Sequence, residues 1–328
     1  MKAYYNEWLM LPKSRFNLPS LINALTFPIR SRDAITGYIK GYKVDDRYFY
    51  APREFYSDRK LSKLGLKVEY QLPDSYEHVD FDDSIVLDAQ DPSRDIQRRA
   101  FAELTNHGNG VLSLACGRGK TVVAMKYVSL LQRPTLVIVE TTTLVNQWAE
   151  EFQKKLKLKD NEIGIIQGSP EKWVVDTPVV MATIQSLARY ADTVPRDIQD
   201  RFGLVIFDEV HHLSAPYYNK TAALFPGLRL GLSATPDRLD GLEGLYFAHI
   251  GPVFFQDLSQ DLVPMVDFHK IDLSVDWNKR EVIDQIVDRT GELSWTRLWG
   301  FLGDNKKFLD SATDLICGQH KIVAKYDG

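Results

Sequence analysis

Cysteine is nearly missing, with only Cys116 and Cys317 in 328 residues. That pair cannot supply a disulfide framework or a four-cysteine zinc site, and a reducing cytoplasm is the simplest compartment. No apolar run approaches the roughly twenty residues of a membrane span. Asn6, Glu7 and Lys13 interrupt the apolar residues of the amino terminus, so it does not read as a signal peptide. No internal repeat or low-complexity segment is visible, which argues against a solenoid or a long solvated tail. There is no overall basic excess either. The formal net charge is −4, unlike a histone-type polyanion binder.

The composition is that of a globular protein, 44% hydrophobic and 26% charged, and the length allows two domains. The charge is uneven. From Met1 to Lys67, 13 Lys/Arg stand against 6 Asp/Glu, which hints at a local polyanion-binding surface.

Residues 1–88 read as a small accessory α+β domain. A helix is expected at Ser20–Leu25 and strands at Ala34–Tyr42, Tyr48–Ala51 and Leu66–Leu72. The acidic run Asp80, Asp82, Asp83, Asp88 and Asp91 reads as a linker. Residues 89–265 then alternate helices (Ile96–Leu104, Thr121–Leu131, Leu144–Leu156) with short apolar strands (Val111–Ala115, Thr135–Glu140, Ile163–Gln167, Val179–Thr183, Leu204–Phe207, Leu230–Ser233). Strands that apolar need cover on both faces, so the expectation is an α/β domain with a parallel sheet. Residues 266–328 carry a weaker pattern, with a helix at Asp304–Ile316 and a strand beginning at Lys321–Ala324.

Two segments carry chemistry. In Leu112-Ser-Leu-Ala-Cys-Gly-Arg-Gly-Lys-Thr121, a strand runs through a glycine-rich turn into a helix. Gly117 and Gly119 let the backbone curl its N–H groups around phosphate oxygens, with Arg118 between them. The helix amino terminus adds partial positive charge, Lys120 reaches the β- and γ-phosphates, and the Thr121 hydroxyl holds Mg²⁺. Leu114 stands where the generic P-loop has its first glycine. The second segment, Leu204-Val-Ile-Phe-Asp-Glu-Val-His-His212, is an apolar strand ending in acids. Parallel strands offer ligands their carboxyl ends. Asp208 there suits Mg²⁺, and Glu209 the water that attacks a phosphate. His211 and His212 are adjacent, point different ways and lack a matching ligand cluster, so they do not read as a zinc site.

Together these segments resemble the superfamily-two helicases of the DExH kind. Asp208-Glu-Val-His211 resembles the DExH box, Gly231-Leu-Ser-Ala-Thr-Pro236 the S/T-A-T motif, and Pro134 to Trp148 and Val180 to Leu187 two strand-contact motifs. The finer resemblance, through Leu114, Arg238-Leu-Asp-Gly241 and Leu262-Val-Pro264, is to the XPB and UvsW branch of DNA translocases. The size of the amino-terminal appendage fits a phage-encoded member, which would work in the host cytoplasm.

The resemblance implies a RecA-like P-loop domain, followed by the start of a second RecA-like lobe at Asp304-Asn-Lys-Lys-Phe-Leu309. It implies ATP and Mg²⁺ as cofactors and forked or branched DNA as partner, with RNA as the alternative. Gln97 would read adenine. His211, Ser233 and Thr235 would sense the γ-phosphate and couple it to the strand groove. Thr142, Gln147, Thr183 and Gln185 would bind the nucleic-acid backbone. The later motifs of a complete motor do not follow, so either the chain is a piece of a longer protein or a partner supplies the second lobe. Weak ATPase without processive unwinding is expected.

An ATP-gated clamp that does not translocate is a rival reading. A small-molecule kinase is another, but it has no use for the segments at 208–212 and 231–236. For the amino-terminal aromatics Tyr4, Tyr5, Trp8, Phe16, Tyr38, Tyr42, Tyr48, Phe49 and Tyr50, base stacking and core packing both remain open.

Overall fold

Strands that are apolar at every position must be covered on both sides, and that requirement organises the larger layer of the molecule. The computed structural model describes residues 2–31, 34–87, 92–237, 240–259, 275–287 and 293–323. They belong to two compact units, Met1–Asp261 and Leu262–Gly328.

The first unit begins with β1 (Lys2–Tyr5), β2 (Trp8–Pro12), α1 (Leu18–Ala24), β3 (Thr26–Ser31), β4 (Ala34–Lys40), β5 (Lys43–Val44), β6 (Tyr48–Pro52), α2 (Asp58–Lys63) and β7 (Lys67–Tyr70). Five of the strands form a sheet in the order β5-β6-β2-β1-β7, and β3 and β4 form a separate hairpin. Alternation sends Leu9 and Leu11 of β2 inward with Phe49 and Ala51 of β6, over Leu21, Leu25 and Leu61. Phe49 is core and Tyr42 stacks on it at 5.1 Å, so packing accounts for these two aromatics. Tyr38, 62% exposed on the hairpin, is the one most available for stacking on something else.

The acidic stretch after β7 has no regular structure, yet it is fastened down. Phe81 is buried and exchanges hydrogen bonds with Gln132, while Asp83 pairs with Lys126 and Asp82 with Lys157. Asp88 and Asp91 of the same run lie outside the described residues.

From there the chain runs α3 (Pro92–His107), β8 (Gly110–Leu114), α4 (Lys120–Leu131), β9 (Thr135–Val139), α5 (Thr142–Leu156), β10 (Ile163–Ile166), β11 (Val179–Thr183), α6 (Ile184–Tyr190), α7 (Arg196–Arg201), β12 (Leu204–Phe207), β13 (Leu228–Ser233), α8 (Glu243–Ile250) and β14 (Val253–Asp257). The seven strands form one all-parallel sheet in the order β10-β11-β9-β12-β13-β8-β14. Val137, Met181 and Ile206 face α3, α4 and α5, and their neighbours Leu136, Val180 and Val205 face α6 and α8. Between β8 and β9 the order leaves room for β12 and β13, so the loops after β8, β9, β12 and β13 gather at the carboxyl ends, the usual crevice of such sheets.

At the opposite, amino ends, the small sheet is locked on by buried arginines. Arg53 donates to the carbonyls of Pro226 (2.7 Å) and Gly227 (2.9 Å). Arg229 donates to the carbonyls of His249, Glu7 and Phe225. Three carbonyls bound by one planar guanidinium is a use to which lysine is not suited.

The second unit is helical where described: α9 (Arg280–Ile286), α10 (Trp295–Gly303) and α11 (Lys306–Val323). The helix expected at Asp304–Ile316 is α11. The strand expected at Lys321–Ala324 is not formed, since Lys321–Val323 continue α11 and Ala324 lies outside the described residues. Leu309, Ile316 and Val323 repeat every seven residues, a helical period that the short apolar run at 322–323 simply extends. The 265/266 boundary, Leu262–Pro264 and Arg238–Leu239 also lie outside the described residues.

Candidate nucleotide and nucleic-acid site

The loop between β8 and α4 takes its shape from two glycines with φ of +78° at Gly117 and +82° at Gly119, which caps α4. A side chain at Gly119 would meet Gln97 Nε2 at 2.3 Å, whereas the space beside Gly117 is open. Gln97 lies against the loop and donates to the Arg118 carbonyl at 3.3 Å. Lys120 Nζ reaches back to the Leu114 carbonyl at 3.0 Å. The Arg118 side chain bonds the carbonyl and hydroxyl of Ser259, while its backbone remains part of the loop. Ser259 and Arg118 also hold the Asp257 carboxyl below its ordinary range.

Asp208 and Glu209 leave the end of β12 toward this loop. Together with Cys116, Gly117, Lys120, Thr121, Gln147, Trp148 and Glu151 they line one cleft of about 410 Å³. The cleft offers an ammonium, a hydroxyl beside the helix start, open backbone at Gly117 and two carboxylates. This donor set fits a triphosphate and one magnesium ion.

Glu209 sits at φ +46°, a left-handed conformation costly for a residue with a side chain and one that recurs at functional sites. Burial and the neighbouring Asp208 carboxylate push its carboxyl upward, against the pull of Lys120 and His212. Glu209 is thereby made a better proton acceptor than an ordinary glutamate. His211 Nδ1 lies 3.4 Å from Ser233 Oγ and 3.4 Å from Glu209, and Ser233 Oγ accepts the Thr235 N–H at 3.0 Å. The box and the segment at 231–236 therefore touch. Gly231 makes room for this, because a side chain there would lie 2.9 Å from Val210. The two histidines, expected to point different ways, keep different partners but hold their rings only 4.4 Å apart.

The four expected strand contacts separate. Thr142, capped by Thr141 at the start of α5, is exposed, and its hydroxyl accepts from Gln167 at 2.9 Å. Gln185 is exposed as well. Thr183 is buried and its hydroxyl is engaged by Ser186 at 2.8 Å, which makes it a structural residue at the start of α6. Gln147 is exposed and lines the cleft beside Lys120 and Asp208. Thr183 is the correction: at the end of β11 and the cap of α6, its side chain is turned into the interior.

Two contacts had not been anticipated. Trp148 Nε1 donates to Asp208 Oδ2 at 2.8 Å, and His212 Nε2 lies 3.1 Å from Glu140 Oε2. The signal for Trp148 was its place on the inward stripe Val145, Trp148, Phe152, Leu156 of α5, where a buried indole N–H needs an acceptor. Glu140 stood out only as a charge ending an apolar strand.

Comparison with known proteins agrees with this geometry. Residues 90–238 match the family described as type III restriction enzyme, res subunit. The chain is 32% identical over 236 residues to the DNA 3'-5' translocase XPB2 of Sulfurisphaera tokodaii, covering 69% of this chain and 51% of that protein. It is 35% identical over 200 residues to the DNA 3'-5' helicase XPB of Mycobacterium tuberculosis, covering 59% of this chain and 36% of that protein. The crystal structure of the UvsW helicase from Bacteriophage T4 shares the fold, with a TM-score of 0.51 at 18% identity over 78% of this chain and 100% of that one. The chain thus spans about half or less of the length of these curated relatives. The seven-stranded parallel layer, with its glycine-rich loop and the 208–212 segment, is consistent with a RecA-like domain of the superfamily-two helicase kind. Over this layer the chain is similar to the XPB-type DNA helicases.

Proposed function

We propose that this chain is the ATP-binding half of a DNA-translocating helicase that remodels forked or branched DNA. The observation that carries the reading is that Lys120, Thr121, Asp208 and Glu209, from two loops 88 residues apart, line a single cleft. The relatives, a DNA 3'-5' translocase and a DNA 3'-5' helicase, favour DNA over RNA.

In this reading the backbone at Gly117–Gly119 and the Lys120 ammonium bind the phosphates, while Gln97 sits where an adenine edge would meet the loop. Thr121 and Asp208 would hold Mg²⁺, which supplies charge neutralisation at the β- and γ-phosphate oxygens. Glu209 takes the proton of the attacking water. His211, joined to Ser233 and through it to Thr235, passes the state of the γ-phosphate to the neighbouring loops. Thr142 and Gln185 meet the DNA backbone without reading sequence.

Residues 266–328 form a linker and the start of a second RecA-like lobe, and residues 1–88 an accessory domain that meets DNA through its basic, aromatic surface. An arginine finger from a second lobe would raise turnover about 10³–10⁵-fold by analogy with GTPases, so these residues alone hydrolyse ATP weakly. The test is ATPase measured with single-stranded, duplex, forked and four-way DNA, with RNA controls. DNA-dependent stimulation, greatest on forks or junctions and lost in Lys120→Ala, is the expected result. ATPase indifferent to every nucleic acid would refute the reading.

A further inference from the structure

The helix that starts at the exposed Thr142 is bonded, two turns later, to the catalytic carboxylate. Trp148 is 3% exposed and belongs to the core cluster with Val145 and Phe152. Its ring lies 6.0 Å from that of Phe152, one turn further along the same helix. Its N–H takes Asp208 Oδ2 at 2.8 Å, and the other oxygen of the same carboxylate accepts the Glu209 N–H at 3.1 Å. The Asp208 side chain is therefore held at both oxygens, with a lone pair of each left for a cation or its water.

A second bond joins the same two segments. Glu140, immediately before the Thr141 cap of α5, pairs with His212 at 3.1 Å. Residues 140–148 thus hold the 208–212 turn at its first residue and at its last. Core packing alone would explain the Trp148 ring, but it leaves open where the N–H points. Here the N–H points at the one carboxylate placed to face magnesium.

We propose that segment 140–148 is a lever by which a nucleic-acid strand engaged at Thr142 sets the Asp208 carboxylate, with Trp148, Glu140 and His212 as positioning residues. This rests on the motor reading above. Partners of a ligating carboxylate fix its orientation, and losing one typically weakens metal binding 10–100-fold. A rigid 15-residue helix carries a shift at its first residue to its seventh, where a hydrogen bond already near optimal length responds steeply. Coupling of this kind is reciprocal, so strand and metal-nucleotide must each change the affinity of the other by the same factor.

The test is equilibrium binding of a fluorescent ADP analogue to the full chain, titrated with MgCl₂, with and without a saturating single-stranded oligonucleotide. In the unaltered chain the oligonucleotide shifts the Mg²⁺ midpoint. Trp148→Phe keeps the ring and removes the N–H. It is expected to raise the midpoint about tenfold and to cut the oligonucleotide shift to less than half. Glu140→Gln, an exposed change that does not threaten folding, is expected to cut the shift as well. Midpoint and shift both unaltered in Trp148→Phe, or a full shift in Glu140→Gln, overturns the lever while the motor reading stands. Failure of the unaltered chain to bind the analogue overturns both.

Discussion

The two ends of the seven-stranded sheet use charge in opposite ways. At the carboxyl ends, Lys120, Asp208 and Glu209 stand around a cleft, half-buried, with donors and acceptors to spare. At the amino ends, Arg53 and Arg229 are 2% and 1% exposed and committed to main-chain carbonyls of the elements they join. One end keeps polar groups facing a cleft, and the other commits most of its guanidinium donors to fixing the accessory sheet in place. A charged side chain in this fold therefore marks chemistry only when its hydrogen-bonding capacity is left unfilled.

The comparison can be broken at either end, and the effects should not mix. The largest is Lys120→Ala, or Glu209→Gln, in the cleft. ATPase should fall at least about 10²–10³-fold, with Glu209→Gln still holding ATP, while the melting temperature barely moves. A large loss of stability would mean that the cleft residues are structural. Arg229→Met at the other end should do the reverse. It strands the carbonyls of Glu7, Phe225 and His249 in the interior, so unfolding free energy should drop by about 3–5 kcal/mol in chemical denaturation. Nucleotide affinity of the folded fraction should stay the same. A smaller effect is expected from Thr142→Ala with Gln185→Ala. DNA affinity should weaken roughly 5–30-fold in a salt-controlled titration, with ATPase in the absence of DNA unchanged.

The smallest effect concerns pH. His249 is fully buried, and burial with Arg229 and Arg53 nearby drives its pKa well below 6.5. Below pH 6.5 the unfolded chain takes up a proton that the folded chain refuses, so stability is full above that pH and falls by about 1.4 kcal/mol per pH unit below it. His249→Phe should flatten that slope between about pH 6.5 and 5 in melting curves. An unchanged slope would place the acid sensitivity elsewhere.

What the sequence made legible divides along the same line. Most of the parallel layer could be read because its central strands are largely apolar and its longer helices periodic. α6 to α8 and the strand β14, which ends in Gln256 and Asp257, could not. The P-loop and DExH box could be read because their residues are contiguous. Within the site, Lys120, Thr121, Asp208 and Glu209 stand together as expected, and His211 meets Ser233. The assignment that shifted, Thr183, depends on which way a side chain leaves the end of its strand. The motif supplies the residue type there, and packing supplies the direction. The amino-end seam was not legible at all. Arg53 and Arg229 lie 176 positions apart, and nothing local distinguishes a buried arginine from a solvated one. β1 and β2 carry little signal because Lys2–Tyr5 and Trp8–Pro12 are short; they pair with each other, and their other partners, β7 and β6, lie more than 35 residues away. The fastened acidic stretch was hidden similarly, since Phe81 and Asp83 find their partners on α4.

The most direct measurement is a binding titration of ATP·Mg²⁺ against the unaltered chain, Lys120→Ala and Asp208→Asn. One saturable site in the unaltered chain is predicted, lost in Lys120→Ala and stripped of its magnesium dependence in Asp208→Asn. Equal, magnesium-dependent binding by all three would contradict the account, because the nucleotide would then lie somewhere other than the cleft between these two loops.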